Sequence, residues 1–174
     1  MIKEIINKDT LLYIEPSEVI TISNKVKKIA GELSKEDTDL LNSRGIDKFV
    51  FAYAFENDVV KKVKNCKNIT HLLIKCFINC SSLEEVDDLK SLEYIGDYAF
   101  CNCTNLKVLK FSNKVKYIGA HAFSGIKNLT INFNGTLEEW DKIEKGCDLS
   151  KDDWMPDVLT LNTKDTTIKF FRKK

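Results

Sequence analysis

The stretch that decides the fold reads IGDYAFCNCTNL at residues 95–106, and IGAHAFSGIKNL repeats its pattern at residues 118–129. The phenylalanine of each stretch belongs to a series with spacings of 22, 23 and 23 residues: Phe55, Phe77, Phe100 and Phe123. Two apolar columns keep the same period, six residues after and five residues before the phenylalanines: Leu83, Leu106 and Leu129, and Leu72, Ile95 and Ile118. Self-similarity at such a fixed period predicts a repeat solenoid, in which each coil buries its apolar edge against its neighbours.

Within each coil, the segment that follows the leucine column carries a strand pattern. Residues 107–111 and 130–133 alternate between apolar and polar side chains, which predicts one short strand per coil. Stacked coils would pair these strands into a parallel sheet with one side facing the interior. The other side would present a row that we predict to bind a partner: Lys62, Lys64, Glu85, Asp87, Val108, Lys110, Thr130 and Asn132.

The repeat divides the chain into one domain, residues 1–174, with a cap at each end. Residues 46–133 form four coils of 22–23 residues, and residues 1–45 form an N-terminal cap with a partial coil. The partial coil is indicated by ISNKVKKI at residues 22–29, which closely copies FSNKVKYI at residues 111–118. Ser34, the acidic residues after it and Gly45 have the properties of a helix start and stop, so the N-terminal cap should contain a short helix.

Residues 134–174 are predicted to form a C-terminal cap made of a helix and a β-hairpin. Leu137, Trp140 and Ile143 are spaced to share one face of a short helix, with the Trp140 ring covering the last coil. Residues 158–161 and 167–171 are apolar segments around a polar turn, which is typical of a hairpin. The predicted structural core consists of the repeat residues and this ring: Phe55, Phe77, Phe100, Phe123, Leu83, Leu106, Leu129 and Trp140. We expect the tail from Arg172 onward to be solvated.

Composition narrows the classes of partner. The formal charge is +1, from 27 basic and 26 acidic residues, and only Arg44 and Arg172 are arginine, which argues against nucleic acid as a partner. No apolar run approaches the roughly 18 residues that cross a bilayer, and residues 1–9 lack the apolar core of a secretory signal. We therefore expect no membrane insertion and a cytoplasmic location. The excess of lysine, asparagine and isoleucine is typical of an AT-rich bacterial genome.

The six cysteines are interpreted as packing residues or exposed thiols rather than as metal ligands. Cys80 and Cys103 share a repeat position with Ile126, and Cys76 takes the place that alanine holds in the other coils, so all three should be buried. Their spacing does not match a zinc knuckle and no histidine lies nearby. Cysteines outside the repeated columns are expected to be the exposed thiols: Cys66, Cys101 and Cys147.

The sequence contains no motif of an enzyme active site, so we expect a protein without catalytic activity or cofactor. His121 shares the position of Tyr53 and Tyr98, which favours a half-exposed packing role, and His71 is near no candidate nucleophile. A group of carboxylates on a strand would point to alternate sides, which favours a solvated rim over an acid–base or metal cluster: Glu84, Glu85, Asp87 and Asp88.

The two quoted stretches closely resemble the BspA-like leucine-rich repeats, which are written I-G-x-x-A-F-x-x-C-x-x-L. The resemblance covers roughly residues 46–145, with a fainter trace at residues 19–30. GTLEEWDKI at residues 135–143 is similar to the G-T-x-x-E-W-x-x-I ending found after such repeats. The resemblance implies a leucine-rich-repeat solenoid with a binding function, since these repeats occur in bacterial and protozoan surface proteins and adhesins.

The array is short, and we expect a non-catalytic module that presents its sheet face to an unidentified protein partner. That partner could carry glycans or lie on a cell surface. The alternative is a structural or accessory component of a larger assembly, such as a phage or tail-like particle made in the cytoplasm and then released, or a surface adhesin-type binder. The oligomeric state and the identity of the partner are left open by the sequence.

Overall fold

The structure, a computed structural model, describes residues 59–87, 89–147 and 152–173, together with the four short N-terminal strands given below. Two predictions, the cap helix at residues 34–45 and the burial of Phe55, lie outside the described residues. Each described coil runs through a strand, a second strand and a turn, so the solenoid has three sides. This is the predicted repeat solenoid.

The first side is the main sheet, which consists of two blocks of strands. One block contains β2 (Val19–Thr21), β5 (Lys62–Lys64) and β7 (Glu85–Val86), and the other contains β9 (Val108–Ser112), β11 (Asn128–Asn134), β13 (Val158–Asn162) and β14 (Thr167–Phe171). A bridge between Leu89 and Phe111 links the two blocks. All strands of the main sheet are parallel except β14, which is antiparallel to β13.

The second side is a sheet that the sequence analysis missed. It contains, in spatial order, β1 (Leu11–Leu12), β4 (Phe49–Phe51), β3 (Lys28–Ala30), β6 (His71–Leu72), β8 (Tyr94–Ile95), β10 (Tyr117–Ile118) and β12 (Glu144–Lys145), all parallel. In the regular coils its strand begins nine residues after the strand of the main sheet, as in β5 and β6 or β9 and β10. Each coil therefore contributes two strands rather than one.

The order of strands in the second sheet corrects the predicted order of the N-terminal coils. The phenylalanine series predicts that the coil of Phe55 lies next to the coil of Phe77, but Ile29 lies opposite Leu72, and Val50 lies beyond Ile29. Strands β2 and β3 begin nine residues apart, as the paired strands of the regular coils do. One belongs to each sheet, and they lie next to the coil of β5 and β6. The segment at residues 49–51 pairs only in the second sheet, farther from the repeats.

The third side consists of turns whose N–H groups alternate in direction. The N–H groups of Lys75, Phe77 and Asn79 donate to carbonyls of the next coil over 2.8–2.9 Å. The N–H groups of Cys76, Ile78 and Cys80 donate instead to carbonyls of their own turn. The next coil repeats this alternation at residues 98–103. Since buried main-chain donors need acceptors, the turns are satisfied only when consecutive coils are stacked in register.

Close approach of the coils explains the Ile-Gly pair of the repeat. A Cβ atom added at Gly96 would lie 2.7 Å from main-chain atoms of Leu73 and Ile74, closer than packed atoms approach. On the turn side, Asn79 and Asn102 have positive φ angles of 60° and 61°, which asparagine tolerates better than most residues. The Asn102 side-chain amide donates to the Asn79 side chain over 2.8 Å, so the two coils are also joined outside the core.

The core is filled by the repeat columns. Phe77, Phe100 and Phe123 are fully buried and stack in single file, with ring centroids 5.2 Å and 5.7 Å apart. The leucine column and the column before the phenylalanines are buried as well: Leu83, Leu106 and Leu129, and Leu72, Ile95 and Ile118. The strands of the main sheet alternate accordingly, with Leu109 and Ile131 facing inward between more exposed neighbours.

The C-terminal cap contains the predicted hairpin and a helix that is shorter than predicted. The helix ends at Asp141, so Ile143 is buried just beyond it and not on its face. Helix α1 (Leu137–Asp141) places the buried Trp140 ring over Phe111 and Phe133, with centroids 6.3 Å and 5.4 Å away. Strands β13 and β14 form the hairpin, and β13 also extends the main sheet by pairing with β11.

The prediction for the tail was wrong at its first residue. The guanidinium of Arg172 lies 3.4 Å from the buried Asp153 carboxylate and 3.3 Å from the Ser124 hydroxyl. The N–H of Arg172 also donates to the Asp157 carbonyl over 2.9 Å. An ion that is mostly removed from water needs a partner of opposite charge, so Asp153 holds Arg172 against the last coil.

Candidate functional site

The predicted partner-binding residues lie together on the outer face of the main sheet. Strand register places Lys62 opposite Glu85 and places Lys110 opposite Asn132, in rows that cross the coils. The residues between them along each strand face the core, as Val63, Val86 and Leu109 do. All eight predicted residues are exposed or half-buried: Lys62, Lys64, Glu85, Asp87, Val108, Lys110, Thr130 and Asn132.

The acidic residues of this face are engaged within the chain. Glu85 forms an ion pair with Lys62, with 3.3 Å between the carboxylate oxygen and the ammonium nitrogen. Asp87 accepts a hydrogen bond of 3.1 Å from the N–H of Cys66. The exposed ion pair contributes little to stability, about 0–1 kcal/mol, whereas the Asp87 hydrogen bond satisfies the N–H of a buried residue. Lys64 and Lys110 remain exposed on the same face and are the cations best placed to meet a partner.

A groove of about 610 Å³ opens at the carboxyl ends of β9, β11 and β13. It includes Lys110 and Asn132, which the sequence predicted, and nine residues that it did not: Leu89, Lys90, Phe111, Ser112, Phe133, Asn134, Asn162, Thr163 and Lys164. Residues 162–164 belong to the turn of the terminal hairpin. The sequence predicted that turn but carried no signal that the hairpin would join the main sheet beside β11.

The groove is cationic and is lined by side-chain amides. Among its lining residues, three are lysines (Lys90, Lys110 and Lys164) and none carries a carboxylate. The Asn162 side-chain amide donates to the Asn132 side-chain oxygen over 2.8 Å, and the Thr167 hydroxyl donates to Asn162 over 3.0 Å. These contacts fix the floor of the groove. A positive groove with a fixed polar floor is suited to acidic groups of a partner.

Comparison with protein families decides what kind of chain this is. The model for a BspA type leucine-rich repeat region, with six copies, matches residues 46–146. The chain belongs to the BspA-type leucine-rich repeat family. No curated protein and no solved structure matches it. Leucine-rich repeats of this kind are protein-interaction modules and are generally not enzymes.

The short helix of the C-terminal cap begins with a capping box that the Asn113 side chain reinforces. The Thr136 hydroxyl accepts from the N–H of Glu139 over 3.2 Å, and the Glu139 carboxylate accepts from the N–H of Thr136 over 2.8 Å. The carboxylate also accepts from the Asn113 amide over 2.9 Å. The Asn113 hydrogen bond, followed by the Thr136 N–H and then the charge of Lys164, lowers the pKa of Glu139.

A second feature of these BspA-type coils is a half-buried aromatic column on the second sheet, which the sequence did not predict. His71, Tyr94 and Tyr117 occupy equivalent positions and stack with centroid distances of 5.6 Å and 4.9 Å. Burial, followed by the charges of Asp97 and Glu144, raises the pKa of Tyr117. Because each ring covers the face of the next, the column mainly holds the coils together.

The histidines and carboxylates of the BspA-type repeats are dispersed. His121 stacks on Tyr98 with a centroid distance of 4.8 Å, in the half-exposed position that the sequence predicted. Within the part of the chain that the structure describes, no three His, Cys, Asp or Glu side chains are grouped as a metal site would require. None of the helices in that part is both long enough and apolar enough to cross a bilayer.

The thiols differ from the prediction at one position. Cys76, Cys80 and Cys103 are buried as packing residues, whereas Cys147 is exposed and Cys101 is half-buried. Cys66 was predicted to be exposed but is fully buried, because it opens a 3-10 helix (Cys66–Asn68) that turns the chain inward between β5 and β6. Burial is also the main cause that raises the pKa values of Cys76 and Cys103.

Proposed function

We propose that this chain is a non-catalytic module that binds a protein partner through the outer face of its main sheet. The observation that carries the proposal is the contrast between the two sides of that sheet. The inward positions are uniformly apolar and buried, while the outward positions vary from coil to coil in charge, size and exposure. The core of the solenoid is packed without any contribution from the outward side chains. Their variation is therefore available for recognition of a partner.

The groove at the strand ends is a second observation that supports binding through this face. It extends the face from Lys110 and Asn132 to the C-terminal cap, so one partner could contact both the coils and the cap. Its three lysines favour a partner with acidic side chains, because charge complementarity speeds association and excludes like-charged surfaces. A cell-surface or glycan-bearing protein is included in this proposal, provided that its contact region is acidic.

Charge reversal across the face tests the proposal. The triple variant Lys64→Glu, Asp87→Lys and Lys110→Glu should reduce affinity for the partner at least about tenfold, since the reversed charges now repel complementary groups. The partner would first be captured from host lysate on the immobilised chain and identified by mass spectrometry. Its affinity for each variant would then be measured with purified proteins by surface plasmon resonance.

A matched control makes the same net change of charge away from the face. The variant Lys67→Glu, Glu93→Lys and Lys116→Glu reverses one exposed residue at a corner and swaps an ion pair of 3.1 Å beside the second sheet. It should bind the partner like the original chain. The control should melt within about 2 °C of the original chain, since exposed charges contribute little to stability. The face variant also loses the Asp87 acceptor of the Cys66 N–H, so it should melt several degrees lower and still be folded at the temperature of the binding measurement. Equal binding by all three proteins would refute the use of this face.

A structural role in a larger assembly is the alternative, and one feature favours it. Strand β14 closes the main sheet, and no further strand pairs with its outer side among the described residues. If the chain assembles with itself, light scattering should show a mass that rises with concentration. A constant monomer mass would count against self-assembly, though not against joining a different subunit at this edge.

A further inference from the structure

The outer edge of β14 is unpaired within the described part of the chain. In the main sheet the order of the last strands is β9, β11, β13 and β14, so β14 lies at the end within the described part of the chain. Edge strands present main-chain donors and acceptors that a further strand can satisfy. Whether β14 can use them depends on where its main-chain groups point and on which side chains surround them.

The direction of the main-chain groups follows from two hydrogen bonds at the ends of the hairpin. The N–H of Thr163 donates to the Thr166 carbonyl, and the N–H of Arg172 donates to the Asp157 carbonyl, both over 2.9 Å. In an antiparallel pair the bonded positions recur at every second residue. The main-chain groups of Ile168 and Phe170 therefore face β13, while those of Thr167, Lys169 and Phe171 face outward.

The side chains of these three residues are exposed on the outer face of the sheet. Phe171 is 69% exposed, which is unusual for a large apolar side chain, and lies opposite Val158 on β13. The two residues line a depression of about 620 Å³ together with Asp157, Arg172 and Lys173. A further strand could bond to the outward main-chain groups. At one end it would also bury the apolar surface of Phe171 and Val158, which is favourable.

The charges of the edge select the partner strand. Lys169 is the central residue of β14, and residues 167–171 contain no acidic side chain. In a second copy paired over the full length of β14, Thr167 would lie opposite Phe171 and Lys169 opposite Lys169, which is unfavourable for like charges. Arg172 is engaged with Asp153, and the exposed Asp157 of the depression offsets Lys173, so Lys169 sets the sign of the charge along the strand.

We propose that β14 is a docking edge for an extended, acidic segment of a partner protein, which adds to the main sheet as a further strand. An acidic side chain lies opposite Lys169 in the complex, and an apolar one covers Phe171. This edge lies beyond the eight residues predicted to bind a partner, so it can hold a partner whether or not those residues do. Lys169 has two roles, since it attracts the acidic strand and prevents pairing between copies of the chain.

The experiment uses the full chain labelled with ¹⁵N and the peptide acetyl-Val-Val-Glu-Val-Glu-amide as the acidic strand. At saturating peptide, amide exchange of Lys169 and Phe171 should slow at least about tenfold, because their outward N–H groups become bonded. The exchange of Ile168 and Phe170 should change less, since their N–H groups already bond β13. The same peptide with lysine in place of glutamate should give no protection.

Two proline variants locate the effect. Lys169→Pro removes an outward N–H and is compatible with an edge strand, so the hairpin should persist while protection by the peptide is lost. Phe170→Pro removes an inward N–H and should instead open the hairpin. If Lys169→Pro also opens the hairpin, Lys169→Glu is used instead, because it preserves the strand. This variant should be protected by the lysine peptide and not by the acidic peptide.

The proposal is overturned if the acidic peptide leaves the exchange of Lys169 and Phe171 unchanged, or if both peptides protect equally. It is also overturned if the chain alone forms a dimer in which these amides are protected, because the edge would then be an interface between copies. Charge reversal at Lys64, Asp87 and Lys110 should not alter the peptide effect. Failure of the face as a binding surface is therefore distinguishable from failure of the edge.

Discussion

Phe100 illustrates how one repeated residue organises the core. Its ring is fully buried between the rings of Phe77 and Phe123, one in each adjacent coil. A side chain in this position is packed by three coils at once, so its removal affects all of them. The spacing of the phenylalanines in the sequence is sufficient to predict this file, because stacking of equivalent positions is the defining property of a solenoid.

Phe100→Ala should lower the free energy of unfolding by about 3–5 kcal/mol, through lost burial and the cavity left between neighbouring rings. Urea denaturation followed by circular dichroism measures the loss. Lys110→Ala, on the exposed face of β9, serves as the control and should change stability by less than about 0.5 kcal/mol. Comparable losses in the two variants would contradict the burial of Phe100 and the exposure of Lys110.

The thiols should react in an order set by burial. At neutral pH, iodoacetamide should label Cys147 first and Cys101 next, because the remaining four cysteines are buried. Since burial raises the pKa values of Cys76 and Cys103, these two also lack reactive thiolate. Mass spectrometry of digests taken during labelling gives the order. Early modification of Cys66 would contradict its position inside the turn after β5.

Among the secondary-structure elements, the strands that repeat and the capped helix were the easiest to predict from the sequence. Alternation in residues 107–111 and 130–133 identified strands of the main sheet, and the spacing of Leu137 and Trp140 identified helix α1. The strands of the second sheet in the regular coils have only two residues each, too few for a period to be visible. Neighbouring coils, rather than local preference, hold those residues extended.

Helix α1 has five residues and depends on its cap. Thr136→Ala should lower the free energy of unfolding by about 1 kcal/mol, because the N–H of Glu139 loses its acceptor. Thr136→Ser keeps the hydroxyl and should retain most of the stability. Urea denaturation of the three proteins measures both effects, and an equal loss for serine and alanine would exclude the hydroxyl as the cause.

The Glu139 carboxylate makes the same cap sensitive to pH. Its pKa is lowered in the folded chain, so it stabilises the fold above the unfolded pKa and loses that effect as pH falls through the folded value. The stability difference between the original chain and Glu139→Gln should therefore shrink from about pH 7 to about pH 3. A difference that stays constant over this range would show that the charge is not involved.

At the scale of the whole molecule, the solenoid is closed at its C-terminal end by contacts that join distant parts of the chain. Arg172 spans from the end of the hairpin to Ser124 in the last coil and to Asp153 in the segment before β13. Neither this contact nor the position of Ile29 beside Leu72 could be predicted, because both depend on which segments meet in three dimensions. The candidate face was predicted from strand periodicity, whereas the groove required the pairing of β13 with β11.

Arg172→Met should lower the free energy of unfolding by about 1–3 kcal/mol, since the Asp153 carboxylate would stay buried without this cation. Lys173→Met is the control in the adjacent position and should be nearly neutral. Thermal and urea denaturation provide the measurement, and equal effects of the two variants would exclude the tie to Asp153.

The alternating N–H groups of the turns restrict how such a gene can change in length. One extra residue between Gly96 and Cys103 would reverse the alternation. N–H groups that donate to the adjacent coil would then point back into their own turn. Duplication or loss of a whole unit of 23 codons preserves the alternation. The architecture therefore accepts growth by complete coils and rejects small insertions on this side, which directs length variation to tandem copying of the repeat.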